Sequence, residues 1–262
     1  VGVEIIAIGP WQLALGLIFI LAAGLTSLYH GLGLERDLLV GTVRTFVQLF
    51  LLGYVLTLIF GLNRADLVLA AFGLMVLFAA LTIRGRIKEK RISFFWPVFF
   101  SMLVSYGLVS VMVTGVIVGV RPWWTPQYYI PLAGMVIGNS MNAIAIALER
   151  LLGELRSKRP QIEMMLSLGA NRKEASREAV GTAMRAGMIP SINSMMAVGV
   201  VFIPGMMTGQ ILAGADPLAA IRYQIVVMIM LVGSTAVGSL LVVLLVRRRC
   251  FGPADRLLPR PK

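Results

Sequence analysis

The chain has few of the side chains that carry chemistry. Its 262 residues include one cysteine and one histidine. Cys250 alone permits no internal disulfide, and Cys250 with His30 falls short of the clusters that hold zinc and its neighbours. Carboxylates are scarce as well, 12 Asp and Glu against 24 Lys and Arg, for a formal net charge of +12. No Gly-x-x-x-x-Gly-Lys-Ser/Thr loop is present to cradle nucleotide phosphates, so nucleotide hydrolysis by this chain is not expected. No nucleophile and base are paired in a way that suggests a membrane enzyme. The positive charge does not form a basic domain of its own, which argues against nucleic acid as a partner.

Apolar length is abundant. Hydrophobic residues make up 58% of the chain, charged residues 14%, and the mean hydropathy is +0.87. Segments 11–29, 67–83, 92–119, 122–148 and 223–246 contain no charged residue. Several exceed the roughly 18 apolar residues that a spanning helix requires. In hydrocarbon every backbone N–H and C=O must be satisfied internally, and the alternation of a membrane β-barrel is absent, so the expected class is an all-α integral membrane protein. The expected spans, about seven, are 11–29, 38–60, 67–83, 94–119, 128–148, 187–203 and 221–246. The first is too long for a signal-peptide core and lacks a basic lead-in, so it reads as a true span. The whole of 1–262 reads as one transmembrane domain, with 149–185 as a segment outside the bilayer.

Charge placement gives the orientation. Arg84, Arg86, Lys88, Lys90 and Arg91 lie between the third and fourth spans; Arg150 to Arg185 hold eight basic residues between the fifth and sixth; Arg247–Arg249 follow the seventh. Seven crossings put all three groups on one side, as the excess of Lys and Arg on cytoplasmic loops demands, with the N-terminus outside and the C-terminus cytoplasmic. Trp123, Trp124, Tyr128 and Tyr129 then fall at the outer boundary, where amphipathic rings anchor. Asp216-Pro217 has the form of an N-cap and first helical residue opening the last span. Ahead of it, Pro204-Gly205-Met206-Met207-Thr208-Gly209 breaks an apolar run, which at membrane depth needs cover from protein or water.

Residues 149–185 are the one substantial polar region. Within them Glu163 to Leu168 reads as a short helix. Gly169 follows at its C-terminal turn, where a left-handed backbone suits glycine. Asn171 and Glu174 match a capping box that opens a second helix back toward the membrane. Such a projection can pass a mechanical load to a partner.

Glu-x-x-x-x-x-Gly-Ala followed by a return helix resembles the coupling motif of ABC-transporter permeases. Further motifs occur in order: Arg44-x-x-x-Gln48-Leu49, Pro131 to Met141, Leu166-Ser167-Leu168-Gly169-Ala170, Ile203 to Gly209, Ala213-Gly214-x-Asp216-Pro217 and Ile221 to Ile225. Together they resemble the FetB-type permease family, small bacterial membrane subunits linked to iron export with relatives in plant aluminium tolerance. The resemblance implies a multi-pass permease of the bacterial inner membrane, a homodimer of this chain, and a separate cytoplasmic ATPase subunit. That subunit would hold the ATP and Mg, with no cofactor on this chain. Glu163, Leu166, Leu168, Gly169 and Ala170 would form the ATPase contact. The alternative is a secondary transporter of a small solute, which would need an ion-coupling site and often an internal repeat; no convincing repeat is seen.

Polar residues inside the spans are the candidates for the substrate pathway. Arg44 and Gln48 lie one turn apart on span two. Asn139 and Asn142 lie on span five, beside Gly134 and Gly138, whose small size permits close helix approach. Asn193 and Ser194 lie on span six. All six are expected to border an interior path or the dimer seam, because a mid-membrane charge facing lipid costs about 3 kcal/mol. Interhelical hydrogen bonding is the competing role for the amides and hydroxyls. The expected spans hold no Asp or Glu, which counts against a bare hard-cation site, and the 15 methionines favour soft metals over iron. No metal ligand set is assigned from the residues.

Overall fold

A computed structural model describes residues 8–87, 93–252 and 256–258. Ten α-helices follow in order among the described residues: α1 (Pro10–His30), α2 (Glu35–Leu62), α3 (Ala65–Arg86), α4 (Phe95–Val111), α5 (Pro126–Ser157), α6 (Arg159–Ser167), α7 (Arg172–Ala175), α8 (Arg177–Ala197), α9 (Gly205–Leu212) and α10 (Pro217–Arg249). α4 runs on into a π-helical stretch, Met112–Ile117. No strand occurs among the described residues, so the chain is all-α. Among the described residues six helices are long and apolar enough to cross a membrane: α1, α2, α3, α4 with its π-helical extension, α5 and α10.

Expected local signals operate at the helix ends. Pro217 occupies the first turn of α10 while the Asp216 carboxylate accepts the Ala219 N–H at 2.9 Å. α1 stops at Gly31, whose φ of 61° is left-handed. The expected sixth span, 187–203, differs. α8 begins earlier, at Arg177, and ends at Ala197; an irregular stretch follows, with Gly199 at φ 82°. The Pro204-Gly205 pair then starts α9 instead of continuing α8. Proline at that point cannot donate to the ladder, and the residue before it is pushed out of the helical region.

The chain divides into two compact units, one of residues 1–63 with 212–214, the other of 64–211 with 215–262. The first is the α1–α2 hairpin. The Ser27 hydroxyl donates to Glu35 Oε1 at 2.7 Å and accepts the Leu34 N–H at 3.0 Å, which fixes the connection between the helices. Of its described residues only Ser27 and Ile59 are buried.

The second unit is built around α5, which packs against α3, α4, α8 and α10. α5 and α8 are antiparallel: Ser191 meets Asn139, Gly187 meets Ala143, and Lys158 bonds Glu178. A Cβ on Gly187 would lie 2.7 Å from the Ala143 carbonyl oxygen and 2.9 Å from Ala147 Cβ. On the other flank a Cβ on Gly238 would collide with the Tyr106 phenol, so α10 and α4 also close over a glycine. The glycines expected to allow close approach on α5 behave differently. Gly134 faces Met75, with a Cβ there at 3.0 Å from its terminal methyl, whereas a Cβ on Gly138 would meet nothing within 4 Å. The glycine that lets α5 and α8 close lies on α8, at Gly187, and Gly138 is exposed.

Basic residues from distant parts of the sequence gather at one end of this unit. Arg249 donates to the Ser93 carbonyl at 2.8 Å, bringing the end of α10 to the start of α4. Arg247 and Arg248 share a cleft with Asn171, Arg172 and Lys173.

Candidate functional site

Two places in the second unit collect candidate residues: a polar knot inside the bundle and a helical hairpin at its basic end.

Asn139 is the centre of the knot. Its amide donates to Ser191 Oγ on α8 at 3.1 Å and to Thr235 Oγ1 on α10 at 3.2 Å; Thr235 in turn pairs with Ser140 Oγ at 3.1 Å. Three helices are thereby joined by side chains on one level, and Ser140, Ser191 and Thr235 are buried. In an apolar surround such bonds hold helices in register, because an unmade bond leaves a polar group in hydrocarbon. Asn142, one turn along α5, is exposed and accepts a 2.9 Å bond from Arg86 at the end of α3. Asn193 is exposed and Ser194 half-buried on α8; neither side chain bonds another described residue. The chain thus brings Asn139 to α8 and α10 through Ser191 and Thr235. Arg44 and Gln48 lie on α2 in the other unit, one turn apart, and both are exposed.

Sequence reasoning passed over Ser140, Ser191 and Thr235, whose hydroxyls are commonplace in apolar helices. A second set it missed lies on α4 and α10. Ser105, Ser110 and Ser239 are buried, and none of their side-chain oxygens has a hydrogen-bond partner among the described residues. The signal was present in Ser101, Ser105, Ser110 and Thr114, hydroxyls recurring at helical spacing along one span.

At the basic end, α5 continues as a rod past Asn142. Glu154 pairs with Arg150 at 2.8 Å and Lys158 at 3.1 Å, and Lys158 reaches Glu178 at the head of α8 at 2.5 Å. Its bonds to Glu178 and then Glu154 hold the Lys158 ammonium above its ordinary pKa. α6 then projects and ends at Ser167. Gly169 takes φ 96°, with its N–H on the Leu166 carbonyl at 3.1 Å and the Ala170 N–H on Met165 at 3.0 Å. The capping box is complete: Asn171 Oδ1 accepts the N–H groups of Lys173 and Glu174 at 2.9 and 3.0 Å, and Glu174 Oε2 accepts the Asn171 N–H at 2.9 Å. These bonds make the turn rigid. At its tip Leu168 is 80% exposed and Met164 58%. Glu163 bonds Arg159 on its own helix at 2.8 Å, while Leu166 and Ala170 are half-buried.

A bundle of long apolar helices joined by buried amides and hydroxyls, with a stiff polar hairpin at its basic end, defines a multi-pass helical membrane protein. The chain belongs to the UPF0014 family, an uncharacterised protein family whose profile matches residues 10–251. It is similar to the probable iron export permease protein FetB of Escherichia coli K12, 34% identical over 248 residues and 94% of each chain. It is 38% identical over 227 residues to the membrane protein YjkA of Bacillus subtilis 168, covering 86% of this chain and 88% of that one. It is also 33% identical over 227 residues to the protein ALUMINUM SENSITIVE 3 of Arabidopsis thaliana, covering 87% and 82%. No solved structure matches the chain.

Proposed function

We propose that this chain is the membrane-spanning subunit of an ABC exporter, driven by a separate cytoplasmic ATPase and carrying iron or a related metal species. The observation that carries the reading is the hairpin of α6, Gly169 and α7. Its bonded turn gives an applied displacement little slack, and it presents Met164 and Leu168 outward, apolar groups that suit a groove on a soluble partner. The relative named as an iron export permease supplies the direction and the cargo class. In this reading ATP and Mg bind the partner. Closure of the ATPase dimer moves the hairpins, and α5 and α8, tied by Lys158 and Glu178, carry that motion toward the Asn139 knot.

The assembly is read as a homodimer in the bacterial inner membrane. α5 is otherwise the most enclosed of the six long apolar helices, yet Pro131, Gly138, Asn142 and Ile146 are exposed at helical spacing along it. A small residue and an amide on an open face fit helix contact with a second copy or a wetted path. α8, running antiparallel to α5, supplies the seventh crossing. The basic residues gathered around Arg249, Ser93 and Lys173 support a cytoplasmic C-terminus and an external N-terminus. Purification with a candidate ATPase tests the proposal. Stable complex formation and substrate-stimulated hydrolysis are expected, and metal export by the chain alone, independent of any ATPase, would replace it with secondary transport. The break between α8 and α9 is the one feature that favours that second reading, since secondary transporters often build sites on discontinuous helices.

A further inference from the structure

The break between α8 and α9 has a depth that the register of α8 on α5 defines. Ser191 bonds Asn139. Ala197, six residues further, therefore lies level with Ala133, seven residues inside the start of α5. At a rise of 1.5 Å per residue, α8 stops about 10 Å short of that start. Non-helical backbone at that depth along the helices is tolerated where it lines a cavity or is covered by protein, and Val200 and Val201 in this stretch are exposed on the chain itself. A cavity is present there. It measures about 420 Å³ and lies between the end of α8, the irregular stretch, α9 and the first half of α10.

Its lining is chemically unusual. Met195 comes from α8, Met207 from α9 and Met228 from α10, and the one polar side chain among them is Gln224. Gln224 is 6% exposed, and its Oε1 has no donor among the described residues. We propose that this cavity is a binding site for a soft monovalent metal cation of the Cu(I) and Ag(I) class, held by the thioethers of Met195, Met207 and Met228 with the Gln224 amide beside them. Thioethers are neutral, polarisable donors that select such ions over hard cations. No group of three His, Cys, Asp or Glu side chains that could hold a metal occurs among the described residues. A neutral donor set also suits a low-dielectric site, where it adds no buried negative charge of its own. Methionines serving as packing fill gaps with their flexible chains. Here three from separate elements border space that stays open, next to an acceptor that lacks a partner.

The site does not depend on the ATPase reading, because binding is an equilibrium property of the purified chain. The experiment is titration of silver ion into the protein in lipid nanodiscs, on a Cys250→Ala background that removes the only thiol, followed by calorimetry and X-ray absorption. Saturable binding of one ion per chain with sulfur neighbours is expected. Replacing Met195, Met207 and Met228 together by leucine, nearly equal in volume, should weaken it at least tenfold. Replacing Met164 and Met165 at the hairpin tip should leave it unchanged. Absence of saturable binding, an absorption spectrum without sulfur neighbours, or unchanged affinity in the triple variant would each overturn the proposal. So would ferrous iron binding as tightly through the same methionines. If the triple variant does not fold, the absorption spectrum of the parent decides.

Discussion

α1 and α2 and the α5-centred unit answer to the same solvent in opposite ways. Both hairpin helices are among the segments apolar enough to cross a bilayer, yet only 6% of the most apolar stretch of either is buried within the chain. α5 is the least hydropathic of the six candidate spans and the most enclosed, with 56% of its stretch buried. Hydropathy alone therefore does not set burial: α10 is the most hydropathic of the six, yet 44% of its stretch is buried. Lipid tails are as apolar as leucine, so no hydrophobic force drives two such helices together. What closes α5 onto α8 and α10 is the absence of a side chain at Gly187 and the bonds of Asn139.

The sharpest break in this comparison is a bulky side chain at the α5–α8 contact. Gly187→Leu must displace the Ala143 carbonyl and Ala147, backbone and methyl groups that cannot swing aside. Overpacking of this kind costs about 1–3 kcal/mol or more. Loss of most folded protein, read as the monodisperse peak after detergent extraction, is expected. Gly53→Leu on α2 meets nothing within 4 Å and should leave that peak in place. Equal behaviour of the two variants would mean that glycine at 187 is incidental.

The next effect is strain at the hairpin. Gly169→Val forces a β-branched residue to φ 96°, at a cost of about 1–3 kcal/mol confined to the turn. The melting temperature of the bundle should hold while ATPase stimulation in the reconstituted complex falls. Full stimulation in Gly169→Val, and in a Glu163→Ala/Leu168→Ala pair, would remove this segment from coupling. Below that comes the knot. Asn139→Leu forfeits two interhelical bonds, which in membranes are worth on average about 0.6 kcal/mol. A small fall in thermal midpoint is expected, reproduced in part by Thr235→Val; a fall several-fold larger would show that Asn139 does more than join helices.

Much of this architecture was legible in the residues. Charge-free runs located five of the six long helices, Asp216-Pro217 marked the start of α10, and Gly169 with Asn171 and Glu174 specified the hairpin. These signals are local, and local bonding settles them. The sixth span was misjudged because its hydropathy runs on through Val198 to Ile203, while Gly199 and Pro204 decide that the helix stops. The knot was half visible. Asn139 stands out in an apolar helix, but its partners Ser191 and Thr235, 52 and 96 positions away, are identified only when α8 and α10 are packed against α5. A Cβ on Gly138 would meet no neighbour among the described residues: a small residue permits close approach without saying which helix will make it.

The smallest effect on folding, and the most telling for function, belongs to Arg44. It lies in the hairpin, exposed, with no side-chain hydrogen bond to another described residue, ten positions into a helix that opens at Glu35. The nine steps from Glu35 are about 14 Å of helix, a distance the long side chain shortens by reaching back toward the nearer boundary. A guanidinium supporting the fold would need partners within the chain, and removing it would expose them. With none among the described residues, Arg44→Ala should change the thermal midpoint by less than about 0.5 kcal/mol equivalent, the usual size of a substitution outside packed or bonded sites. A residue that meets cargo or a second copy should instead reveal itself in transport. Reconstituted export is expected to fall in Arg44→Ala and to recover in part in Arg44→Lys, which keeps the charge but loses the planar fork. Gln48→Ala, one turn away, should give a weaker version of the same loss. A parallel decline in folded yield and transport across all three variants would assign Arg44 to structure and leave the hairpin without a functional polar residue of its own.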